Sequence, residues 1–296
     1  MKFYKKPYSF AITYSLLILA LTIFILLKAF VISEVVTIVA VDDRPLEKEE
    51  IGEVSITENS YVDDNIQINI STDYIDDSEV YIVDIVLSDI SYLQTAFANN
   101  AYGKNITATT SSIAAANDAI LAINGDYYGF RDYGYVVRDG IIYRDNYSDD
   151  TDTAMVIYDD GSMASVVESE VSAQSLVDDG ALEVLSFGPI LIQDGNIVVD
   201  DSSSSHLNNK NPRTAIGMIS PLHYVIVVAD GRSSSSEGLK LSSLASIMAD
   251  LGCSEAYNLD GGGSSTLYFN GEVINNPSEN SLTGERKVSD IVYVGY

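Results

Sequence analysis

The strongest chemical signal in the chain is the run Asn258-Leu259-Asp260-Gly261-Gly262-Gly263-Ser264-Ser265-Thr266. Glycines lack a Cβ, so consecutive backbone N–H groups can converge on an anion as a nest. Ser264, Ser265 and Thr266 add hydroxyl donors. Asp260 follows a predicted strand, where a carboxylate can meet a reacting carbon. A plain glycine linker has no need of Asn and Asp leading into it.

Three more loops gather reactive side chains. Asn124-Gly125-Asp126-Tyr127-Tyr128-Gly129-Phe130-Arg131 follows an apolar strand. Polar groups among glycines and aromatics suit a sugar platform with a carboxylate nearby. The same residues also suit a tight turn in which Asn and Asp cap backbone groups. In Asn211-Pro212-Arg213-Thr214, Arg213 enters an apolar strand, so its guanidinium needs an anionic partner, either an internal carboxylate or a bound phosphate. Asp230-Gly231-Arg232 closes the strand YVIVVA and sets a charged pair at the mouth of a buried element. His223, earlier in that hairpin, reads as an ordinary strand residue rather than a ligand.

The elements that position these loops are mostly short strands. Glu79–Leu87, Ala119–Asn124, Thr214–Ile219, Leu222–Ala229, Glu255–Leu259 and Val288–Val294 read as strands. Asp-Gly or Asn-Gly marks hairpin tips at Asp139-Gly140, Asp160-Gly161, Asp194-Gly195 and Asn270-Gly271. Short helices are predicted at Ser111–Asp118 and Ser172–Val177. An amphipathic one covers Ser242–Leu251, with Leu244, Ile247, Met248 and Leu251 on one face and Gly252 as its stop. Hairpins outnumber βαβ units, which predicts an α+β class: a single domain of mixed, hairpin-rich β-sheet with a few helices over residues 80–296.

Phe10–Ile32 is apolar except for Lys28 and long enough to cross a ~30 Å hydrocarbon core. Lys2, Lys5 and Lys6 precede it and acidic residues follow. The positive-inside rule therefore predicts a membrane anchor with residues 1–9 cytoplasmic and the domain outside. A cleaved signal peptide is the competing reading, but only the weak Ile38-Val39-Ala40 site follows the run. Residues 33–79 are acidic and read as a stalk or N-terminal extension with some local order.

Composition narrows the function. Against 16 basic residues stand 43 acidic ones, a formal charge of −27, which would repel a phosphate backbone and argues against a nucleic-acid partner. The single Cys253 excludes an intrachain disulfide and a multi-thiolate metal site. The sequence contains no G-x-S-x-G, H-E-x-x-H, Walker A or complete EF-hand pattern. Asp149-Asp150-Thr151-Asp152 has the charge to collect Ca²⁺ but reads first as a solvated loop.

In order along the chain, NGDYYGFR, FGPILIQDG (Phe187–Gly195), NPRTAIG, DGR, SEG, SLASIMADLGC, NLDGGGSSTLY and GERKVSDIVYV resemble the phosphodiester glycosidase family. The resemblance covers residues 80–296. It implies hydrolysis of a sugar-1-phosphate diester of the GlcNAc-1-phosphodiester kind, releasing free sugar and a phosphomonoester. An oxocarbenium-like transition state needs carboxylates near the anomeric carbon. The resemblance then casts Asp260 as nucleophile or base, with Asp126 and Asp230 supporting it or sharing acid–base work. Asn124 and Asn258 hydrogen-bond sugar hydroxyls or orient the carboxylates. Arg131, Arg213, Arg232 and Arg286 receive the leaving phosphate, together with Gly261, Gly262, Gly263, Ser264 and Ser265.

No cofactor or metal is required, although an acidic pocket can hold Ca²⁺. The lone cysteine and the N-terminal span depart from lysosomal members of that family. The expected substrate is therefore a sugar-phosphodiester glycan of the cell envelope or an exopolysaccharide. Two other classes remain open: a non-catalytic glycan-binding or envelope-assembly module of the same fold, and a phosphodiesterase cutting the P–O bond.

Overall fold

Strand His223–Ala229 shows how the sequence builds the domain. Tyr224, Ile226 and Val228 point to one core and Val225, Val227 and Ala229 to another, because strand side chains alternate faces. A strand buried on both sides must be central, and it is. The computed structural model describes residues 8–30, 36–37, 53–199, 209–279 and 282–296.

The central sheet has nine antiparallel strands. Their order is Asn196–Ile197, Ile190–Gln193, Glu255–Asn258, Arg213–Ser220, His223–Ala229, Ser78–Leu87, Ile66–Ile75, Ser60–Val62 and Ser55–Ile56. Helix Leu241–Asp250 covers one face. Its Leu244 and Met248 pack on Ala215, Val225 and Val227, each large side chain contributing ~1.5–3 kcal/mol by burial. Gly252 ends the helix at φ +85°, the left-handed geometry that favours glycine.

Two five-stranded antiparallel sheets cover the other face. One orders Glu272–Val273, Leu267–Phe269, Leu121–Asn124, Asp290–Val294 and Leu93–Phe97; the other Ile141–Arg144, Val136–Arg138, Ala181–Ser186, Thr153–Tyr158 and Met163–Val167. Leu121 and Ile123 from the first, and Met155 and Leu185 from the second, join Ile226 and Val228 in the larger core. The α+β expectation holds, as do the hairpin tips at Asp139, Asp160, Asp194 and Asn270.

The boundary at residue 80 is corrected. Ile66, Ile68 and Ile70 are buried while the polar residues between them face solvent, so Ser60–Val62 and Ile66–Ile75 are integral strands of the nine-stranded sheet. The acidic residues of this stretch lie mostly in exposed turns, among them Glu58, Asp64, Asp76 and Asp77. Residues 33–35 and 38–52 of that stretch, the N-terminal lysines and Ser202–Ser205 lie outside the described residues.

The apolar helix spans Ser9–Phe30. Ser9–Leu27 has a mean hydropathy of 2.6, and its large apolar side chains are exposed. It is long and apolar enough to cross a membrane. The Asp149–Asp152 run is a self-capped turn: Asp152 Oδ2 accepts the Ser148 and Asp149 amides, and Asp149 Oδ1 accepts the Thr151 amide and hydroxyl.

Candidate active site

Antiparallel pairing brings the chemically marked loops to one rim. Arg213 is in register with Ala229, the residue before Asp230; Ala215 is in register with Asn258, and Ile291 with Asn124. The heads of some strands thus meet the tails of others. Asn124 stitches two sheets together there. Its Oδ1 accepts the Thr214 hydroxyl at 2.9 Å, and its Nδ2 donates to the Asp260 carbonyl at 2.7 Å. Asn124 has no exposed surface and holds the Asp260 backbone rather than its carboxylate.

Asp260 is the best-placed carboxylate. Its Oδ2 accepts the Ser264 hydroxyl at 2.6 Å and an Arg286 Nη2 hydrogen bond. Arg286 Nε in turn donates to Ser264 Oγ at 2.8 Å, closing a triangle around one oxygen. Burial raises the Asp260 carboxyl above the usual carboxylate range, opposed by Arg286 and Ser264. The Arg286 guanidinium also stands 6.0 Å from the Tyr127 ring centroid, and Tyr127 stacks on Phe130 at 4.7 Å. An aromatic platform therefore flanks the carboxylate.

The glycines serve close packing rather than an open anion nest. The amides of Gly262, Ser264 and Ser265 donate to the carbonyls of Pro212, Gly261 and Gly262. A Cβ on Gly261 would stand 2.8 Å from Pro212 O. Gly262 takes φ +64°, and a Cβ there would stand 2.9 Å from Arg232 Nη2, so the guanidinium lies directly against the loop. Arg213 is buried, donating to the carbonyls of Leu239 and Asn209. Burial first, then the nearby Arg232 charge, lowers its pKa to about 10. Arg213, Arg232 and Arg286 thus form a local positive field inside an acidic chain.

The other two carboxylates are held by different partners. Asp126 accepts the Tyr128 amide on Oδ1 and the Ser186 amide and Arg138 on Oδ2. Arg138 also binds Asp290 Oδ2 at 2.5 Å, and all three side chains are buried. Burial, then Asp126, pushes the Asp290 carboxyl up to about 8; burial pushes the nearby Glu183 up to about 7. Asp230 accepts Asn275 Nδ2 on Oδ1 and the Asn276 amide on both oxygens. Each oxygen of Asp126 and Asp230 thus accepts at least one hydrogen bond.

Asn258 donates to the Gly188 carbonyl at 2.7 Å and holds the 186–189 segment rather than opening to the rim. Ser265 is equally buried. Arg131 points away from the Asp260 centre into a neighbouring cavity with Glu168, so it does not join the other three arginines. Arg138, Glu183, Asn275 and Asp290 were not marked by the sequence. Arg138 and Asp290 nevertheless carried the signal used for Arg213 and Asp230, a charge at the end of an apolar strand.

Comparison with known proteins identifies the family and the fold. Residues 117–295 match the family model described as phosphodiester glycosidase. The SPbeta prophage-derived uncharacterized protein YomE of Bacillus subtilis is 35% identical over 204 residues, 66% of this chain and 31% of that protein. Mouse N-acetylglucosamine-1-phosphodiester alpha-N-acetylglucosaminidase is 29% identical over 149 residues, 44% of this chain and 29% of the enzyme. The chain therefore spans about a third of the length of these curated relatives.

In fold it is similar to the zebrafish N-acetylglucosamine-1-phosphodiester alpha-N-acetylglucosaminidase catalytic domain, whose structure is auto-inhibited by a pro-peptide. The TM-score is 0.63 at 18% identity, covering 90% of this chain and 89% of that one. A hypothetical protein from Synechocystis follows at a TM-score of 0.57 and 15% identity, covering 78% and 62%. With its ordered motifs, its matched residues and its hairpin-built fold in agreement, the chain belongs to the phosphodiester glycosidase family.

Proposed function

We propose that the chain is a hydrolase of sugar-1-phosphodiesters that breaks the bond between the anomeric carbon and the phosphate oxygen. The carrying observation is the triangle of Asp260, Ser264 and Arg286, with Arg232 laid against Gly262 beside it. A carboxylate held by one oxygen and flanked by guanidinium groups supports both halves of the reaction. Asp260 stabilises positive charge at the sugar carbon or attacks it. Arg232 and Arg286 receive the negative phosphate as it departs. Phosphate leaves readily as an anion, so the leaving group needs cations more than a proton donor. Water supplies OH to the sugar and a proton to the medium, and the phosphomonoester leaves with the bridging oxygen.

The name of the mouse relative supports a GlcNAc-1-phosphodiester-like substrate. The apolar helix Ser9–Phe30, preceded by Lys2, Lys5 and Lys6, supports a membrane-held enzyme whose domain faces outward. An envelope or exopolysaccharide glycan with sugar-phosphate links fits that placement.

The test is turnover of a GlcNAc-1-phosphodiester in ¹⁸O-water by the full chain in detergent, wild type beside Asp260→Asn. Label in the sugar, lost with the substitution, is the expected result. Label in the phosphate would mean P–O cleavage. No turnover across a panel of sugar phosphodiesters would favour a glycan-binding module.

A further inference from the structure

Beside the Asp260 centre, across the 186–189 segment, lies a cavity of about 270 Å³. Arg131, Tyr133, Phe187 and Pro189 line it, with Glu168 and Asp152. None of Asp260, Ser264, Arg232, Arg286 or the glycine loop reaches it. Its size is at the lower end of ligand pockets and suits one ring rather than an extended chain.

The lining chemistry is specific. The Arg131 guanidinium lies 5.1 Å from the Tyr133 ring centroid and 5.9 Å from that of Phe187, and its Nη2 donates to the Ser186 carbonyl. Glu168 is 1% exposed. Its Oε1 accepts the Tyr135 amide at 3.0 Å and the Ser186 hydroxyl. Glu168 Oε2 and Arg131 Nε are buried with no hydrogen-bond partner among the described residues. An unmet buried acceptor costs ~1–3 kcal/mol, more when charged, and a ligand hydroxyl would relieve it.

Charge selects the ligand class. Two carboxylates, Asp152 and Glu168, face one guanidinium in a chain of net charge −27, so a phosphate or sulfate is repelled. Asp152 Oδ2 is already taken by the Ser148 and Asp149 amides, and Glu168 Oε2 is the buried carboxylate oxygen of the lining that lacks a partner among the described residues. An acceptor beside a donor matches a pair of neighbouring hydroxyls, and exposed aromatic rings match the apolar face of a sugar.

We propose that this cavity is a carbohydrate subsite that holds an uncharged pyranose unit, with hydroxyls on Glu168 and Arg131 and its apolar face against Tyr133 or Phe187. The subsite stands whether or not Asp260 breaks a glycosidic bond, so the two readings fail separately.

The test is saturation-transfer NMR on the full chain in a sugar-free zwitterionic detergent, with methyl glycosides of glucose, galactose, mannose and N-acetylglucosamine as probes. At least one probe is expected to bind saturably, with its apparent Kd unchanged in Asp260→Asn and raised tenfold or more in Glu168→Gln. Tyr133→Ala, at a half-exposed position, is expected to keep the melting temperature and weaken binding severalfold. Excess inorganic phosphate is expected not to compete. Absence of saturable binding by every probe, loss of binding in Asp260→Asn, indifference to Tyr133→Ala, or competition by phosphate would each overturn the subsite.

Discussion

The Ser264 hydroxyl binds Asp260 and Arg286 through the same oxygen atom, donating to Asp260 Oδ2 at 2.6 Å and accepting from Arg286 Nε at 2.8 Å. A serine four residues after the carboxylate thus fixes its rotamer and couples it to a cation 26 residues away. Ser264→Ala should remove two charge-assisted hydrogen bonds, each worth roughly 1.5–3 kcal/mol. Turnover should fall about 10- to 100-fold while the fold persists. Steady-state kinetics on a sugar-1-phosphodiester checks it; an unchanged kcat would mean that Arg286 alone positions Asp260.

Gly262 is the point where backbone conformation and charge placement meet. At φ +64°, with Arg232 Nη2 2.9 Å from a Cβ position, Gly262→Ala must move the guanidinium and strain the turn. Left-handed backbone costs a non-glycine residue roughly 1–2 kcal/mol. The variant should fold with a slightly lower melting temperature and lose most of its affinity for a phosphodiester. Kinetics should show the loss mainly in kcat/KM, and Arg232→Ala should reproduce it without the loss of stability.

How much of this is legible in sequence follows from distance along the chain. Asn258 to Thr266 announces itself because the carboxylate, the glycines and Ser264 lie within one turn. The Arg138–Asp290 pair spans 152 positions, and no local pattern links its two ends. Asp126, Asp230 and Asp260 all follow apolar strands and look equivalent as letters. What separates them is the identity of the partners folded onto each carboxylate, and Asn275 and Asn276, which bind Asp230, come from a loop with no motif. Hairpin tips were readable because Asp-Gly and Asn-Gly state their own backbone geometry. The strands at 60–75 were not, because the alternation runs over only three isoleucines, Ile66, Ile68 and Ile70, between the acidic turns Asp63-Asp64 and Asp76-Asp77.

The buried cluster around Arg138 makes stability depend on pH in an unusual direction. Asp290 and Glu183, pushed up to about 8 and 7, hold protons in the folded state that an unfolded carboxyl near 4 releases. The native state then binds more protons than the unfolded one between about pH 4 and 8, so stability falls as pH rises through that window. Calorimetry should find a lower melting temperature at pH 8 than at pH 5.5. Asp290→Asn, which mimics the protonated form, should flatten the slope. A melting temperature that rises over the same range would contradict the protonated cluster.

Asp230 and Asp260 should respond in opposite ways to the same substitution. Asp230 accepts three hydrogen bonds from Asn275 and Asn276, so Asp230→Asn turns an amide group toward donors it cannot satisfy. That should destabilise the domain by ~1–3 kcal/mol and leave measurable turnover. Asp260 receives its side-chain donors, Ser264 and Arg286, on Oδ2 alone, and the amide oxygen of an asparagine can still accept from both. Asp260→Asn should therefore leave the melting temperature unchanged or higher while abolishing turnover, the signature of a group kept for chemistry rather than for stability. Paired melting and activity measurements on the two variants decide it. Loss of activity with full stability in Asp230→Asn would move the reacting carboxylate to the mouth of the His223–Ala229 strand.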